Sequence, residues 1–221
     1  MTGRAGAPGD DYLAAIYEMS EERIPTVQAE MARWMGISRP SVSEAVKRLR
    51  RDGLIEADGR ELRFTPEGLA AAERVVRRHR LAERFLVDVL GLSWHKAHGE
   101  AEVWQHAISD DVEERIVAML GVPGTCVHGN PIPGSAHPVD QTNLQPLHRF
   151  GPGASVVLER LTEDLELDLS VMRFFEESGL MPGAGIRVEG VAPDGTMSLS
   201  IGGRTVGLGV HLADNVWVRA A

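Results

Sequence analysis

The stretch SRPSVSEAVKRLRRDGLIEADGRELRFT, residues 38–65, decides how the first part of this chain folds. Ser38 is a favoured helix N-cap, and Pro40 stands in the first turn, where proline is tolerated. Apolar residues at helical spacing predict the buried face of this helix: Val42, Ala45 and Leu49. Gly53 ends the helix, and the sequence then alternates around Asp58-Gly59, a pair typical of a tight hairpin turn. A helix followed by a β-hairpin is therefore predicted.

Two shorter helices are predicted upstream of this stretch. The first covers about 10–22, and the second covers about 27–35 with Thr26 as its N-cap and Gly36 as the turn that follows it. Helix, short helix, glycine-containing turn, polar-faced helix and basic hairpin form, in that order, a winged helix-turn-helix, which is a DNA-binding arrangement. The alternative is a small helical domain with a solvated charged face.

The exposed face of the 38–53 helix carries the candidate DNA contacts. Polar side chains crowd its first two turns: Ser38, Arg39, Ser41, Ser43 and Glu44. Basic residues of the helix and the hairpin are predicted to contact phosphates: Arg39, Lys47, Arg48, Arg51, Arg60 and Arg63. Few of these side chains suit bidentate base reading, so DNA shape is expected to carry much of the specificity.

The charge of the chain is unevenly distributed. Its 221 residues have a formal net charge of −9 at pH 7, but residues 1–98 carry 16 Lys and Arg against 15 Asp and Glu, whereas residues 99–221 carry 7 against 17. Local charge decides where phosphates dock, so DNA binding by the first part is compatible with an acidic chain. The sequence has no apolar run of about 20 residues, no signal-like start and a single cysteine, Cys126. A cytoplasmic protein with no membrane partner is expected.

The rest of the chain predicts a helical region followed by a small β domain. Pro66 opens a long helix to about Leu90, whose apolar stripe is predicted to pack between the subunits of a homodimer: Val75, Leu81, Phe85, Leu86 and Val89. A helix over about 98–108 and another capped by Ser109 follow. Residues 121–153 are rich in Pro, Gly and Asn and are predicted to be a linker. Short β-prone runs around a helix near 168–178 predict an SH3-like β-barrel. The histidines in or near the linker are predicted to be surface residues: His128, His137 and His148.

The fold class is thus mostly α with a small β domain, in three parts. They are a winged helix-turn-helix DNA-binding domain over 1–73, a helical dimerisation domain over 74–144, which also holds the candidate metal-binding side chains described next, and an SH3-like domain over 145–221.

Imidazole and carboxylate side chains recur at one-turn spacing in the helices between residues 79 and 106. They are His79 and Glu83 on the first helix, and His98, Glu102, Gln105 and His106 on the next. A buried charge is costly unless it is paired or ligated, so two such faces predict a divalent metal site. Oxygen and imidazole donors suit Mn²⁺ or Fe²⁺, although Co²⁺ or Zn²⁺ would also bind.

Over nearly its whole length the chain resembles the diphtheria-toxin-repressor family of iron- and manganese-dependent repressors. The segments that carry the resemblance are DDYLAAIYEM (10–19), SRPSVSEAVKRLRRDGL (38–54), RRHRLAERFL (77–86), HGEAEVWQHAISD (98–110) and HGNPIPG (128–134). The resemblance implies a homodimer that binds divalent metal ions and then palindromic operator DNA of metal-homeostasis genes.

The resemblance also implies two neighbouring metal sites. The primary, activating site falls on Asp11, Glu102, Gln105 and His106. The ancillary site falls on His79, Glu83 and His98, with Glu163 and Glu166 from the SH3-like domain. Manganese sensors resemble this chain in having Asp and Glu at the first two primary positions, where iron sensors have Met and Cys. We therefore expect Mn²⁺ to activate the protein, with Fe²⁺ as the alternative.

Two positions depart from the family pattern. Gln105 stands where the family has Glu, which lowers the anionic charge of the primary site and is expected to weaken metal binding or change metal preference. Ala14 stands where manganese sensors have a further acid, so two separated ions are expected rather than a paired cluster. An ion bound by Asp11 together with Glu102, Gln105 and His106 is expected to restrict the motion of the DNA-binding domains.

Two other functions remain open at this point. A metallohydrolase needs an open metal position beside a general base, and no H-E-x-x-H motif occurs, so the protein is not expected to be an enzyme. A winged-helix repressor that responds to an organic ligand would leave the histidines and carboxylates without a role.

Overall fold

The computed structural model describes residues 9–221. The chain divides into two compact units, one up to Arg78 and the other from His79 to Ala221. The division into three domains at 73 and 144 remains a prediction. No helix within residues 9–221 has the length and apolar character needed to cross a membrane.

The first unit contains the predicted helices and hairpin. Its elements are α1 (Gly9–Glu21), α2 (Gln28–Trp34), α3 (Arg39–Arg51), β1 (Ile55–Asp58), β2 (Glu61–Phe64) and the larger part of α4 (Pro66–Arg84). Ser38 caps α3 as predicted, because its Oγ accepts a hydrogen bond from the backbone N–H of Ser41 at 3.3 Å. In the hairpin Asp58 pairs with Glu61, so residues 59 and 60 form the turn, and Gly59 has a φ of 61°.

The predicted N-cap at Thr26 is wrong. Val27 occupies the N-cap position of α2 and makes no side-chain cap. Thr26 instead donates its hydroxyl to the carbonyl of Leu62 at 2.9 Å, which ties the start of α2 to the hairpin. The predicted inward face of α3 is buried, together with Val46, in a core of apolar residues from α1, α2 and the hairpin: Leu13, Ile16, Met19, Met31, Ile55 and Leu62.

The second unit begins within α4, which continues as one π-helical turn over Phe85–Val89. A 3₁₀ turn (Trp94–Lys96) then leads into α5 (Ala97–Trp104), and α6 (Asp110–Leu120) follows with Ser109 as its N-cap, as predicted. Helix α5 ends earlier than predicted, so Gln105 and His106 lie in the turn that follows it.

The predicted subunit stripe on α4 is largely used within the chain itself. Leu81 and Leu86 are buried in a core with Ile108, Ile116 and Ile132, and only Val89 of that stripe is exposed. Other apolar side chains of this region are exposed instead: Leu90, Val103, Val112 and Met119.

The β part of the second unit is one six-stranded antiparallel sheet. Its strands are β3 (Gln145–Pro146), β4 (Ser155–Leu161), β5 (Gly185–Val191), β6 (Met197–Ile201), β7 (Arg204–Leu208) and β8 (Val216–Ala220), in the order β3-β8-β4-β5-β6-β7. Three helices accompany it: α7 (Glu163–Glu166), α8 (Leu169–Ser178) and α9 (Val210–Asp214). No ladder joins β7 to β3 in the part of the chain that the structure describes, so the sheet is open rather than a closed barrel. Trp94, Ala97 and Val127 share its hydrophobic core.

The predicted linker contains a buried turn, so its assignment as a simple linker is wrong over residues 126–130. The carbonyl of Asn130 accepts a hydrogen bond from the N–H of Cys126 at 2.8 Å, and the carbonyl of Cys126 accepts one from Gly129 at 3.2 Å. The prediction that His128 lies at the surface is also wrong, since its exposed fraction is 0%. His137 and His148 are exposed, as predicted.

Candidate metal centre

Buried imidazoles and carboxylates from four segments of the second unit meet in one place. We call this group the His–Glu cluster: His79 and Glu83 of α4, His98 of α5, His128 of the 126–130 turn, and Glu163 and Glu166 of α7. Each of these residues is at most 6% exposed. Ala97 of α5, Val127 of the turn and Leu165 of α7 share the core of the sheet. Leu81 of α4 shares a second core with Ala101 of α5.

The helical residues of the cluster lie within hydrogen-bond distance of one another. His79 Nε2 is 3.2 Å from Glu83 Oε1 and 3.1 Å from His98 Nδ1. His98 Nδ1 is 3.5 Å from the same Glu83 oxygen. The one-turn spacing in α4 places the first two residues side by side, and α5 presents the third to both.

The two glutamates of α7 reach the same imidazole, His98. Glu166 Oε2 is 3.2 Å from His98 Nδ1, and Glu163 Oε2 is 4.0 Å from it. The second oxygen of each carboxylate is fixed elsewhere: Asn130 donates to Glu166 Oε1, and Arg80 donates to Glu163 Oε1, both at 2.7 Å. Each carboxylate is thus anchored by one oxygen and directs the other into the cluster. The structure brings together all five residues predicted for the ancillary site.

His128 is the member of the cluster that sequence reasoning missed. Its Nδ1 lies 3.2 Å from Glu83 Oε1 and 2.7 Å from Glu166 Oε2. The ring of Trp94 packs edge-on against it at a centroid distance of 4.7 Å. The available signal was the HGNPIPG segment, which begins with this histidine, but its Pro and Gly content indicated a linker.

Without metal, the imidazoles and the carboxylates of the cluster favour their charged forms. Burial lowers the pKa of His98 and of His128, but the carboxylates of Glu166 and Glu83 outweigh it and hold both pKa values well above the usual value. Burial also lowers the pKa of His79, but the charge of Glu83 outweighs this effect, so the pKa of His79 is raised above its usual value.

The carboxylates shift in the opposite direction. Burial raises the pKa of Glu83 and of Glu166, but the charges of His128 and of the other imidazoles hold both pKa values below the usual value. Without metal, the imidazolium groups therefore neutralise the carboxylates. A metal ion bound in the cluster would take over this role and release the protons of the imidazoles.

The donor set of the cluster fits a divalent cation. Oε2 of Glu83 and of Glu163 is buried without a hydrogen-bond partner among the residues that the structure describes, and Oε2 of Glu166 is approached by the imidazole nitrogens of His98 and His128. Buried carboxylate oxygens without partners are costly, and a metal ion relieves that cost. Neighbouring donors of an ion bound at about 2.1 Å are about 3.0 Å apart at a right angle and about 3.4 Å apart at a tetrahedral angle. The separations around His98 Nδ1 and Glu83 Oε1 are close to these values.

The residues predicted for the primary site lie in both units. Asp11 is a buried residue of α1 in the first unit. In the second unit, Gln105 Nε2 is 3.3 Å from His106 Nε2, and Gln105 Oε1 accepts a hydrogen bond from His79 Nδ1 at 3.0 Å. Glu102 Oε1 lies 3.7 Å from His98 Nε2. Gln105 therefore contacts a predicted ligand of each metal site.

The candidate DNA contacts lie on the outer face of α3 and on the hairpin. All are exposed except Ser43, which is half-buried. Some are engaged in surface pairs: Lys47 with Glu44 at 2.9 Å, Arg51 with Asp52 at 3.1 Å and Arg63 with Asp58 at 2.8 Å. Exposed pairs of this kind contribute little to stability, so these cations are readily exchanged for phosphates.

The chain matches three family descriptions along its length. They are the N-terminal DNA-binding domain of iron-dependent repressors over residues 7–61, the metal-binding and dimerisation domain of iron-dependent repressors over residues 65–134, and the FeoA domain over residues 145–220.

Individual relatives resemble the chain over most of their length. It is 40% identical over 202 residues to the iron-dependent repressor IdeR of Mycobacterium tuberculosis (strain ATCC 25618 / H37Rv), covering 87% of each chain. It is 35% identical over 217 residues to the diphtheria toxin repressor of Corynebacterium diphtheriae, covering 93% of each. A solved manganese-dependent transcriptional repressor in complex with manganese superposes with a TM-score of 0.85 at 33% identity, covering 97% of this chain and all of that one.

Proposed function

Since the chain belongs to the family of iron-dependent repressors, we propose that Mn²⁺ is the ion that activates it to bind palindromic operators of metal-homeostasis genes. The protein is a metal-dependent DNA-binding transcriptional repressor and not an enzyme. Its N-terminal domain binds DNA, and its central domain binds metal and dimerises.

The observation that carries the metal-sensing role is the His–Glu cluster. It places six ionisable side chains in the interior, and the pKa shifts of its imidazoles and carboxylates depend on one another. A binding site for an organic ligand would be a cavity lined mostly by apolar groups. In the His–Glu cluster, by contrast, neighbouring nitrogen and oxygen atoms are separated by the distances expected between ligands of one metal ion. We propose that the ancillary ligands are His79, Glu83, His98, Glu163 and Glu166.

The choice of Mn²⁺ for the primary site follows from its donors. The proposal keeps the four residues predicted from the sequence: Asp11, Glu102, Gln105 and His106. Three oxygen donors and one imidazole suit a hard cation, and none of the four supplies the sulfur that favours softer ions. Fe²⁺ is the second candidate, favoured by the identity with relatives that are named iron-dependent.

The proposed route from metal to repression is a change in conformational freedom. In a homodimer the two DNA-binding domains must reach two half-sites that lie one helical turn of DNA apart, or a multiple of that distance. Metal bound at the primary site limits the motion of these domains, so less conformational entropy is lost when DNA binds. The proposed contacts with DNA are Ser38, Arg39, Ser41, Ser43, Glu44, Lys47, Arg48, Arg51 and Arg60.

The test is DNA binding titrated with metal. A DNA duplex is first selected from a random pool in the presence of Mn²⁺. Binding of the full chain to this duplex is then measured while Mn²⁺ or, anaerobically, Fe²⁺ is added, and again after a chelator has removed the metal. We expect binding to appear with metal, to disappear with chelator and to need less Mn²⁺ than Fe²⁺. Linkage requires the duplex to tighten metal binding by the factor by which metal tightens DNA binding. Equal Mn²⁺ affinity with and without the duplex would contradict the proposed mechanism.

A further inference from the structure

The outward side of α3 carries one negative charge among cations. Four apolar residues form the buried face of this helix: Val42, Ala45, Val46 and Leu49. At about 3.6 residues per turn, the side chains most nearly opposite to that face form an exposed ridge: Pro40, Glu44, Lys47 and Arg51. Five residues of α3 are basic, and Glu44 is its one acidic residue. The ridge is therefore acidic at one position and basic further along the helix.

Glu44 lies in the half of α3 that is suited to base contacts. In a helix-turn-helix the second helix enters the major groove, and residues near its N-terminus contact the base edges. Glu44 is the sixth residue of α3. The two hydroxyls that precede it belong to the N-terminal cap, since the Oγ atoms of Ser38 and Ser41 are 2.8 Å apart. Glu44 thus provides the polar side chain of the ridge in the half that contacts bases.

A carboxylate on this surface opposes DNA binding unless it contacts a base. Phosphates repel it, and attraction to phosphates supplies most of the sequence-independent affinity. Helix stability does not account for its position, because the helix dipole favours acids in the first turn and Glu44 lies beyond that turn. Its ion pair with Lys47, at 2.9 Å, joins side chains that are 75% and 69% exposed, and such pairs contribute little.

We propose that Glu44 reads one cytosine in each operator half-site by accepting a hydrogen bond from the N4 amino group of that base. Cytosine presents a donor in the major groove, whereas guanine and thymine present acceptors, and adenine places the acceptor N7 beside its amino group. Lys47 donates to Oε1 of Glu44 at 2.9 Å, so the cytosine would be bound by Oε2. The inference rests on the proposed function, because it needs the metal-activated repressor to bind its operator through α3.

A role confined to the protein surface is the competing explanation. Removal of the charge of Glu44 would then strengthen binding to every duplex alike, because phosphate contacts carry no sequence information. If Glu44 reads cytosine, its removal instead changes the preference at one base pair of each half-site. The two roles therefore differ in the sequence dependence of DNA binding.

The test selects duplexes from a random pool with the Mn²⁺-loaded full chain as wild type, Glu44→Gln and Glu44→Ala. We expect the wild type to enrich cytosine at one position of each half-site and Glu44→Ala to lose that preference. Glu44→Gln should enrich adenine there, because an amide pairs with N6 and N7 of adenine. Selection of the same base at every position by all three proteins would overturn the proposal.

Glu30→Gln is the matched control for the loss of a charge. Glu30 forms the same i,i+3 type of pair, with Arg33 at 2.6 Å, but on α2. This variant should retain the base preference of the wild type. A change of preference in Glu30→Gln equal to that in Glu44→Gln would contradict a direct contact by Glu44.

A modified duplex tests the contact without any change in the protein. N4-methylcytosine at the selected position keeps the base pair but replaces the amino hydrogen that faces the major groove. We expect the affinity of the wild type to fall on the order of tenfold, and Glu44→Ala to bind both duplexes equally. An equal response of the two proteins would contradict the assignment. Failure of the proposed function has a different signature, since no duplex would then depend on Mn²⁺ for binding, whichever residue occupies position 44.

Discussion

His79 and Gln105 are joined by a hydrogen bond of 3.0 Å from the Nδ1–H of the imidazole to the amide Oε1. The same amide places its Nε2 3.3 Å from Nε2 of His106. Metal-binding histidines typically donate their second ring N–H to such an acceptor, which fixes the tautomer and the ring orientation. Gln105 therefore supports the His–Glu cluster through His79 while it contacts a proposed ligand of the primary site.

The first prediction concerns the charge of that amide. Gln105→Glu keeps an oxygen acceptor for His79 and adds an anionic donor beside His106, so we expect Mn²⁺ to bind on the order of tenfold more tightly. Isothermal titration with Mn²⁺ measures the change. Gln145→Glu makes the same substitution at an exposed position of β3 and should leave the affinity unaltered. Equal affinities for wild type and Gln105→Glu would show that residue 105 does not influence the primary ion.

The second prediction isolates the contribution of the first unit to metal sensing. Asp11→Ala removes the proposed ligand from α1 and should abolish Mn²⁺-stimulated DNA binding, while the dimer measured by analytical ultracentrifugation persists. Asp10→Ala, at the exposed neighbouring position, is the matched control and should bind DNA as the wild type does. If both variants respond to Mn²⁺ equally, Asp11 is not a ligand of the activating ion.

The third prediction is a pH dependence of the metal-free protein. The pKa values of His98 and His128 are held well above the usual 6.5 by the glutamates, so their contribution to folding stability is complete below about 6.5 and is lost as the pH rises through the raised values. The pKa values of Glu83 and Glu166 are lowered, so their contribution is present above about 4.5 and is lost at more acidic pH. The cluster should therefore stabilise the metal-free chain most between about pH 4.5 and 6.5.

Unfolding by urea at a series of pH values, with and without Zn²⁺, checks this window. The stabilisation by Zn²⁺ should grow as the pH rises, because the ion then displaces fewer protons from the imidazoles. His98→Ala should flatten the pH dependence of the metal-free protein. A Zn²⁺ stabilisation that stays constant from pH 6 to pH 8 would contradict the charged state assigned to the imidazoles.

The sequence predicted those features that depend on local spacing. The Ser38 cap, the Asp58-Gly59 hairpin and the pairing of His79 with Glu83 each follow from residues a few positions apart. The acidic segment around Glu163 contributes carboxylates that are anchored by Asn130 and Arg80, which are distant in sequence, and the resemblance supplied that assignment. The role of His128 was hidden because proline and glycine indicate a turn but do not show whether the turn is buried. Burial of that turn comes from β4, which lies about thirty residues further along the chain.

The fourth prediction concerns the surface that joins two copies of the chain. The matched family description includes dimerisation, and the exposed apolar side chains of this region include Val103, at 68% exposed, and Met119, at 63%. Replacing Met119 by Lys would place a charge in an apolar contact, so we expect the dimer dissociation constant to rise by at least about tenfold. Val191→Lys, an exposed apolar position on β5, should leave it unchanged. Sedimentation equilibrium distinguishes these outcomes, and an unaltered Met119→Lys dimer would place the interface elsewhere.

The fifth prediction tests whether the 126–130 turn carries the geometry of the cluster. In Gly129→Ala the new Cβ would lie 2.0 Å from the carbonyl oxygen of Glu159, at a φ of 93° that L-residues rarely adopt. The turn must move away from β4, so His128 leaves its place between Glu83 and Glu166. We expect the free energy of unfolding to fall by at least about 1–3 kcal/mol from backbone strain alone and Zn²⁺ binding to weaken in parallel. Gly151→Ala, where a Cβ meets open space, should change neither quantity. A Gly129→Ala variant with lower stability but unchanged Zn²⁺ affinity would mean that the turn serves folding alone.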